Sequence, residues 1–189
     1  MRPVPEINAV GDLVLTLPNQ FRALADPLAL ALNDRLRPTS VLSTSALAAA
    51  VGAPEADVEA RLVRLEEAGI VRRRGDGWTA VAKGIVFEIP DEPPDAQAAA
   101  RALTTTMLLQ YADVPRRWVD EAEPGLDVEW ARAAGLFNAG VRLTSEELRA
   151  LQEELETLLA PYLTRGADDA PDDARRVRLL AYFLPDAAV

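Results

Sequence analysis

Leu47-Ala48-Ala49-Ala50-Val51-Gly52-Ala53, followed by Val58, Leu62, Leu65 and Ala68-Gly69-Ile70-Val71, is the stretch on which the fold turns. Ser43 or Thr44 can cap a helix over 45–51, because a hydroxyl there accepts a backbone N–H that the first turn leaves without a partner. Gly52 ends that helix, glycine being the residue that enters the left-handed conformation without a Cβ penalty. Pro54 opens a second helix in which Val58, Leu62 and Leu65 recur at i, i+4 and i+7 as one apolar stripe. After Gly69 the period changes. Residues 70–74 read as a strand, Gly75-Asp76-Gly77 as a hairpin turn, and 78–81 as the returning strand. Small alanines let the two helices cross closely, and the hairpin follows at once. The pattern predicts a winged helix-turn-helix whose second helix offers its outer face to a major groove about 12 Å wide.

Upstream, Phe21, Leu24 and Ala25 recur at helical spacing after Pro18. A further helix starts with Asp26 as cap and Pro27 in its first position, and runs to Leu36. Pro38-Thr39-Ser40 breaks it, and Val41-Leu42 reads as a very short strand. Downstream, the strand signal continues through residues 85–89. Pro90-Asp91-Glu92-Pro93-Pro94 is then an acidic, proline-rich run that no regular element crosses. The expected domains are therefore a winged DNA-binding domain over 1–89, a linker over 90–95, and a helical and strand domain over 96–189 for dimerisation or effector binding.

Within that second half a helix is expected over 96–112 with Asp95 as cap, then an interruption at Pro115 and a shorter helix carrying Trp118. Residues 126–134 read as helical with Trp130 on them, and 136–143 as a strand weakened by Gly140. Thr144-Ser145-Glu146-Glu147 is a capping box. It launches a helix with Leu148, Leu151, Leu155, Leu158 and Leu159 on one face and Glu153, Glu154 and Glu156 away from it. A loop over 166–173 precedes residues 176–183, which alternate with the period of a strand. The fold class is mainly α with small β, an α+β protein without an internal repeat.

Composition bounds the chemistry. The 189 residues are 49% hydrophobic, enough for real cores, and contain no Cys and no His. Disulfides, zinc fingers, Cys nucleophiles and His-based triads are excluded together. No run approaches the roughly 18 apolar residues of a membrane helix and no signal-peptide core follows Met1-Arg2-Pro3, so the chain reads as cytoplasmic, with no membrane partner. Acidic pairs such as Glu153-Glu154, Asp168-Asp169 and Asp172-Asp173 read as a solvated helix face and a loop rather than metal or hydrolytic sites. No phosphate loop, cofactor fingerprint or nucleophile-with-base arrangement is present. The reading is not an enzyme, with no cofactor.

Net charge is −10, from thirty acidic and twenty basic residues. Such a chain offers no overall steering toward a polyanion, so any nucleic-acid contact must be local. Between residues 40 and 85 six basic residues (Arg61, Arg64, Arg72, Arg73, Arg74, Lys83) meet six acidic ones (Glu55, Asp57, Glu59, Glu66, Glu67, Asp76). The winged segment is neutral while the rest carries the whole excess.

Phe21-Arg22-Ala23-Leu24-Ala25-Asp26-Pro27-Leu28, just ahead of the helix pair, resembles the opening of ArsR-type regulators, and the resemblance covers roughly residues 18–90. The second half is similar, more loosely, to actinobacterial ArsR-like regulators that carry a phrase like Leu143-Thr144-Ser145-Glu146-Glu147-Leu148, a long helix and a last strand. The resemblance implies a dimeric DNA-binding regulator. Metal sensing in that family uses Cys and His ligands and does not carry over. A second departure concerns the recognition helix, where relatives usually offer Ser, Thr, Gln, Arg or His: here Glu55, Asp57 and Glu59 stand, with Ala60 in place of a common polar contact. Carboxylates accept from cytosine N4 but oppose phosphates.

The expected DNA-binding residues are Glu55, Asp57, Glu59, Ala60, Arg61, Arg64, Arg72, Arg73, Arg74 and Trp78. Arg72, Arg73 and Arg74 lie along the wing, where guanidinium groups reach phosphates or a minor groove; the bland reading is a solvated strand face. Arg61 and Arg64 have acids at helical distance and can instead form intrahelical pairs. Tyr111, Trp118, Trp130 and Phe137 are either a ligand-cavity lining or core and dimer interface. The leading expectation is a homodimeric regulator bound to double-stranded DNA, with response to a small-molecule effector left open. The alternative is a protein of the same fold whose acidic helix supports a protein or ligand contact instead.

Overall fold

The computed structural model of the chain describes residues 5–165 and 169–186. It divides into two compact units, 1–141 and 142–189. The first holds β1 (Leu13–Val14), α1 (Pro18–Leu24), α2 (Pro27–Arg35), α3 (Thr44–Val51), α4 (Glu55–Glu67), β2 (Val71–Arg74), β3 (Gly77–Ala80), β4 (Ile85–Val86), α5 (Pro94–Tyr111), α6 (Val114–Arg117) and α7 (Val128–Ala133), with a π-helical turn (Trp118–Ala122) and a 3-10 turn (Glu123–Gly125) before α7. The second holds α8 (Ser145–Leu163). The fold is mainly α with small β, and its first unit is a winged helix-turn-helix.

Local chemistry sets the helix ends. Asp26 caps α2 by accepting from the N–H groups of Leu28 and Ala29 at 2.9 and 3.1 Å, and the Ser43 hydroxyl caps α3 by accepting from Ala46 N–H. Gly52, at φ 68°, closes α3 in the left-handed conformation and turns the chain into α4. Val58, Leu62 and Leu65 of α4 then meet Leu47 and Ala48 of α3, with Phe21, Leu24, Leu30 and Leu32 beneath them, in one buried cluster. Gln20 fastens the layer: its amide oxygen accepts from Thr16 and Leu17 N–H, and its amide nitrogen donates to the Ala68 carbonyl at the end of α4. A buried polar side chain with each end engaged carries little desolvation cost.

β2 and β3 form the antiparallel wing, with Val71 opposite Ala80, Arg72 opposite Thr79, Arg73 opposite Trp78 and Arg74 opposite Gly77. The short strand expected at 41–42 is present as a bridge: Leu42 and Trp78 exchange both backbone hydrogen bonds, at 3.0 and 2.8 Å. That approach needs Gly77. A Cβ there would stand 2.7 Å from Val41 Cγ1 and 2.8 Å from the Leu42 carbonyl oxygen. Gly77→Ala is accordingly expected to cost about 1–3 kcal/mol by overpacking against backbone. Gly125→Ala, with nothing within 4 Å of its new Cβ, should stay within about 0.5 kcal/mol. Equal melting temperatures for the two variants would show that the Leu42 bridge is not what constrains this site.

Three expectations meet a different structure. The run over 90–95 was expected to separate domains, but Pro94 and Asp95 begin α5, and that helix lies along α1. Ala96, Ala99, Ala100 and Leu103 are buried, Thr106 donates to the Ala25 carbonyl, and Asp95 pairs with Arg22 at 2.7 Å. An alanine face allows close helix approach, so α5 joins the core of the winged unit and the chain divides near residue 141. Residues 136–143 form no strand, and neither do 176–183. Among the described residues no ladder partner reaches them, and alternation alone leaves the backbone groups unpaired; Leu136, Phe137 and Val177 are exposed. Conversely, the parallel pair of β1 with β4, Leu13 opposite Ile85 and Val14 opposite Val86, has strands too short to leave a period in the sequence.

In the second unit the capping box forms as expected. Glu147 N–H donates to the Thr144 hydroxyl at 3.2 Å, while the Glu147 carboxylate accepts from Thr144 N–H at 2.7 Å and from its hydroxyl at 3.0 Å. These bonds favour the ionised acid and hold its pKa below the usual glutamate value. Leu148, Leu155 and Leu159 are half-buried, whereas Leu151 and Leu158 of the expected apolar face are exposed. Asp168 of the acidic loop lies outside the described residues.

Candidate nucleic-acid interface

The recognition helix α4 turns Val58, Leu62 and Leu65 inward, so at 100° per residue Ala56, Ala60 and Val63 lie on its outer ridge; all three are exposed. Ala60 thus stands where a groove contact was expected, as a methyl rather than a polar group. The acids flank this ridge. Glu55 is exposed and has no ion-pair partner among the described residues. Asp57 and Arg61 form the expected i, i+4 pair at 3.4 Å.

Arg61 has a second partner that spacing did not suggest. Its Nε stands 3.3 Å from Asp26, the cap of α2, so its guanidinium ties the recognition helix to the preceding core. Asp26→Ala removes both the cap and this tie and is expected to cost about 1–2 kcal/mol. Thermal unfolding measures it, and a loss near zero would remove Asp26 from the scaffold of the site. Arg64 lies one turn further on, exposed, beside Asn19, Arg22 and Glu67 in a shallow cleft between α1 and the end of α4.

On the wing, Trp78 corrects an expectation. Named among the DNA contacts, it is fully buried. Its indole Nε1–H donates to the Thr44 hydroxyl at 3.1 Å, and that hydroxyl donates to a Glu59 oxygen at 2.7 Å. The other Glu59 oxygen pairs with Arg73, whose guanidinium lies 4.2 Å over the centroid of the Trp78 ring. Hydrogen bonding from Thr44, ahead of the Arg73 contact, holds the Glu59 pKa below the usual value although partial burial acts against it. Glu59 is ionised at neutral pH and its charge is met inside the protein. Thr44 was foreseen only as a cap; its hydroxyl is the centre of this network.

Arg73 stacks over the residue opposite it in the strand pair. Arg72 and Arg74 are exposed, and neither has an ion-pair partner among the described residues. Of the groups expected to touch DNA, Glu55, Ala60, Arg64, Arg72 and Arg74 are exposed with no ion pair among the described residues, Asp57, Glu59, Arg61 and Arg73 are paired within the protein, and Trp78 is buried.

The four aromatics of the second half are placed differently from one another. Tyr111 donates to the Asp34 carboxylate at 2.9 to 3.0 Å, joining the ends of α5 and α2. Trp118 and Trp130 are half-buried in the π turn and in α7, and Phe137 is 94% exposed. Phe137 therefore cannot line an enclosed cavity in this arrangement. No helix among the described residues is long and apolar enough to cross a membrane.

No family model matches the chain and no curated protein does. Three chains of solved structures match, among them a MarR family protein of Mycobacterium tuberculosis that is 21% identical, over 76% of this chain and 74% of its own, with a TM-score of 0.24.

Proposed function

We propose that the chain is a DNA-binding transcriptional regulator that contacts double-stranded DNA through the outer ridge of α4 and the wing residues Arg72 and Arg74. The observation that carries this reading is the placement of two uncommitted arginines on a hairpin that immediately follows a helix-turn-helix. Internal pairing eases the objection from sequence charge in part: Glu59 pairs with Arg73 and Asp57 shares Arg61 with Asp26, so these two oppose phosphates less than their number suggests, while Glu55 stays unmatched among the described residues. The finer placement among ArsR-type regulators rests on the Phe21–Leu28 phrase.

The chain acts as a homodimer on a palindromic site in this reading. Support comes from apolar side chains left exposed toward the C-terminal half, Leu109, Leu136, Phe137, Leu158 and Leu184 among them, since large apolar surface usually meets a partner. An effector for Trp118 and Trp130 belongs to the same proposal. The test is capture of genomic fragments by the full chain, followed by titration over a salt series. Enrichment of fragments with a shared sequence, bound more weakly as salt rises, is the expected result. Absence of any binding at low salt would defeat the regulator reading and favour a protein- or ligand-binding role for the same fold.

A further inference from the structure

Glu59 and Glu66 stand seven residues apart on α4, two turns and about 10.5 Å along the same flank, and both hold one wing residue. Glu59 pairs with the Arg73 side chain, and Glu66 accepts from the Arg73 backbone N–H at 3.3 Å. Thr44 and Trp78 complete the arrangement from below. We propose that Glu59 is a wing-positioning residue rather than a base-reading one, and that Arg73, gripped by two turns of the recognition helix, contributes no phosphate contact. The inference rests on the DNA-binding reading and sharpens it, because it assigns the wing's phosphate contacts to Arg72 and Arg74 and fixes their position through the residue between them.

The physical basis is competition. A guanidinium stacked on an indole and paired through one nitrogen with a carboxylate already has much of its charge met, and turning it fully toward a phosphate weakens both contacts and leaves the carboxylate facing the DNA less well matched. Releasing Arg73 is therefore doubly unfavourable. Holding it also restrains the flanking residues, since a strand's neighbours alternate about a common backbone. Arg72 and Arg74 are thereby presented together on the side away from Glu59.

Two measurements on the full chain test this. The first is the slope of log K against log salt for a short mixed-sequence duplex. Arg73→Ala should lower affinity while leaving the slope unchanged, and Glu59→Gln should steepen it by about 0.9, one phosphate contact, as Arg73 is freed. A slope that flattens in Arg73→Ala as much as in Arg72→Ala would overturn the assignment. The second needs no DNA: in the assigned 1H–15N spectrum of the free protein, Glu59→Gln and Thr44→Val should each shift the Trp78 indole resonance and speed its hydrogen exchange. An indole resonance that ignores Glu59→Gln would show that the grip does not exist. If the wild-type chain binds no duplex, the regulator reading falls, and the indole resonance still decides whether α4 holds the wing.

Discussion

Trp78→Ala is expected to lower the stability of the winged unit by about 3–5 kcal/mol, the range for truncating a fully buried large aromatic. Trp78 is 0% exposed, and its ring fills the junction of wing, α3 and α4. Its backbone carries the bridge to Leu42. Truncation also leaves the Thr44 hydroxyl without its indole donor and Arg73 without the face it covers. Trp78→Phe narrows these effects, because it keeps most of the apolar volume and loses the N–H with the smaller part of the ring, for an expected cost of about 1–3 kcal/mol. Chemical denaturation followed by far-ultraviolet circular dichroism reads both variants. A loss below about 1 kcal/mol for Trp78→Ala would mean that the wing folds independently of this anchor.

The contrast between what the residues announce and what they conceal follows from sequence separation. Asp26-Pro27, Gly52 and Thr144-Ser145-Glu146-Glu147 each act within four residues, so cap, turn and box were legible and occur as expected. The stripe of Val58, Leu62 and Leu65 was legible for the same reason, because a period of 3.6 is a local property. Trp78 shows the other case. As a tryptophan after a wing turn it reads as a DNA contact, and what makes it an anchor is Thr44, 34 residues earlier in the chain.

The pairing of charges at the candidate site was hidden for a similar reason. Counting acids on α4 made the reading head appear hostile to phosphate. The partner of Glu59 lies 14 residues on, across the turn from helix to strand, and Arg61 reaches back 35 residues to Asp26. Only the Asp57–Arg61 pair was open to inspection, since i, i+4 neighbours are adjacent on any helix. The domain boundary failed on a different ground: a proline-rich run stops an element but says nothing about whether the next one packs back. The alanine face of α5 was the available signal, and alanines at helical spacing also suit an exposed helix.

The double substitution Arg72→Ala with Arg74→Ala is expected to weaken binding to the captured DNA by about a hundredfold and to flatten the salt slope by about 1.8, two phosphate contacts at roughly 0.9 each. The affinity figure follows from two charge-assisted hydrogen bonds of at least about 1.5 kcal/mol apiece, with each 1.4 kcal/mol worth a factor of ten. Folding should be unaffected, within about 0.5 kcal/mol, because both side chains are exposed and neither holds an ion pair. That separation makes the result interpretable, since the same affinity loss in a destabilised protein would be ambiguous. Arg72→Lys with Arg74→Lys keeps the point charges and loses the planar fork, so it should restore the slope while recovering only part of the affinity. An unchanged slope in the alanine variant would place the wing off the DNA. Binding would then fall to α4 alone, whose outer ridge of Ala56, Ala60 and Val63 bears no charge, so any remaining salt dependence would rest on the exposed Arg64 beside that ridge.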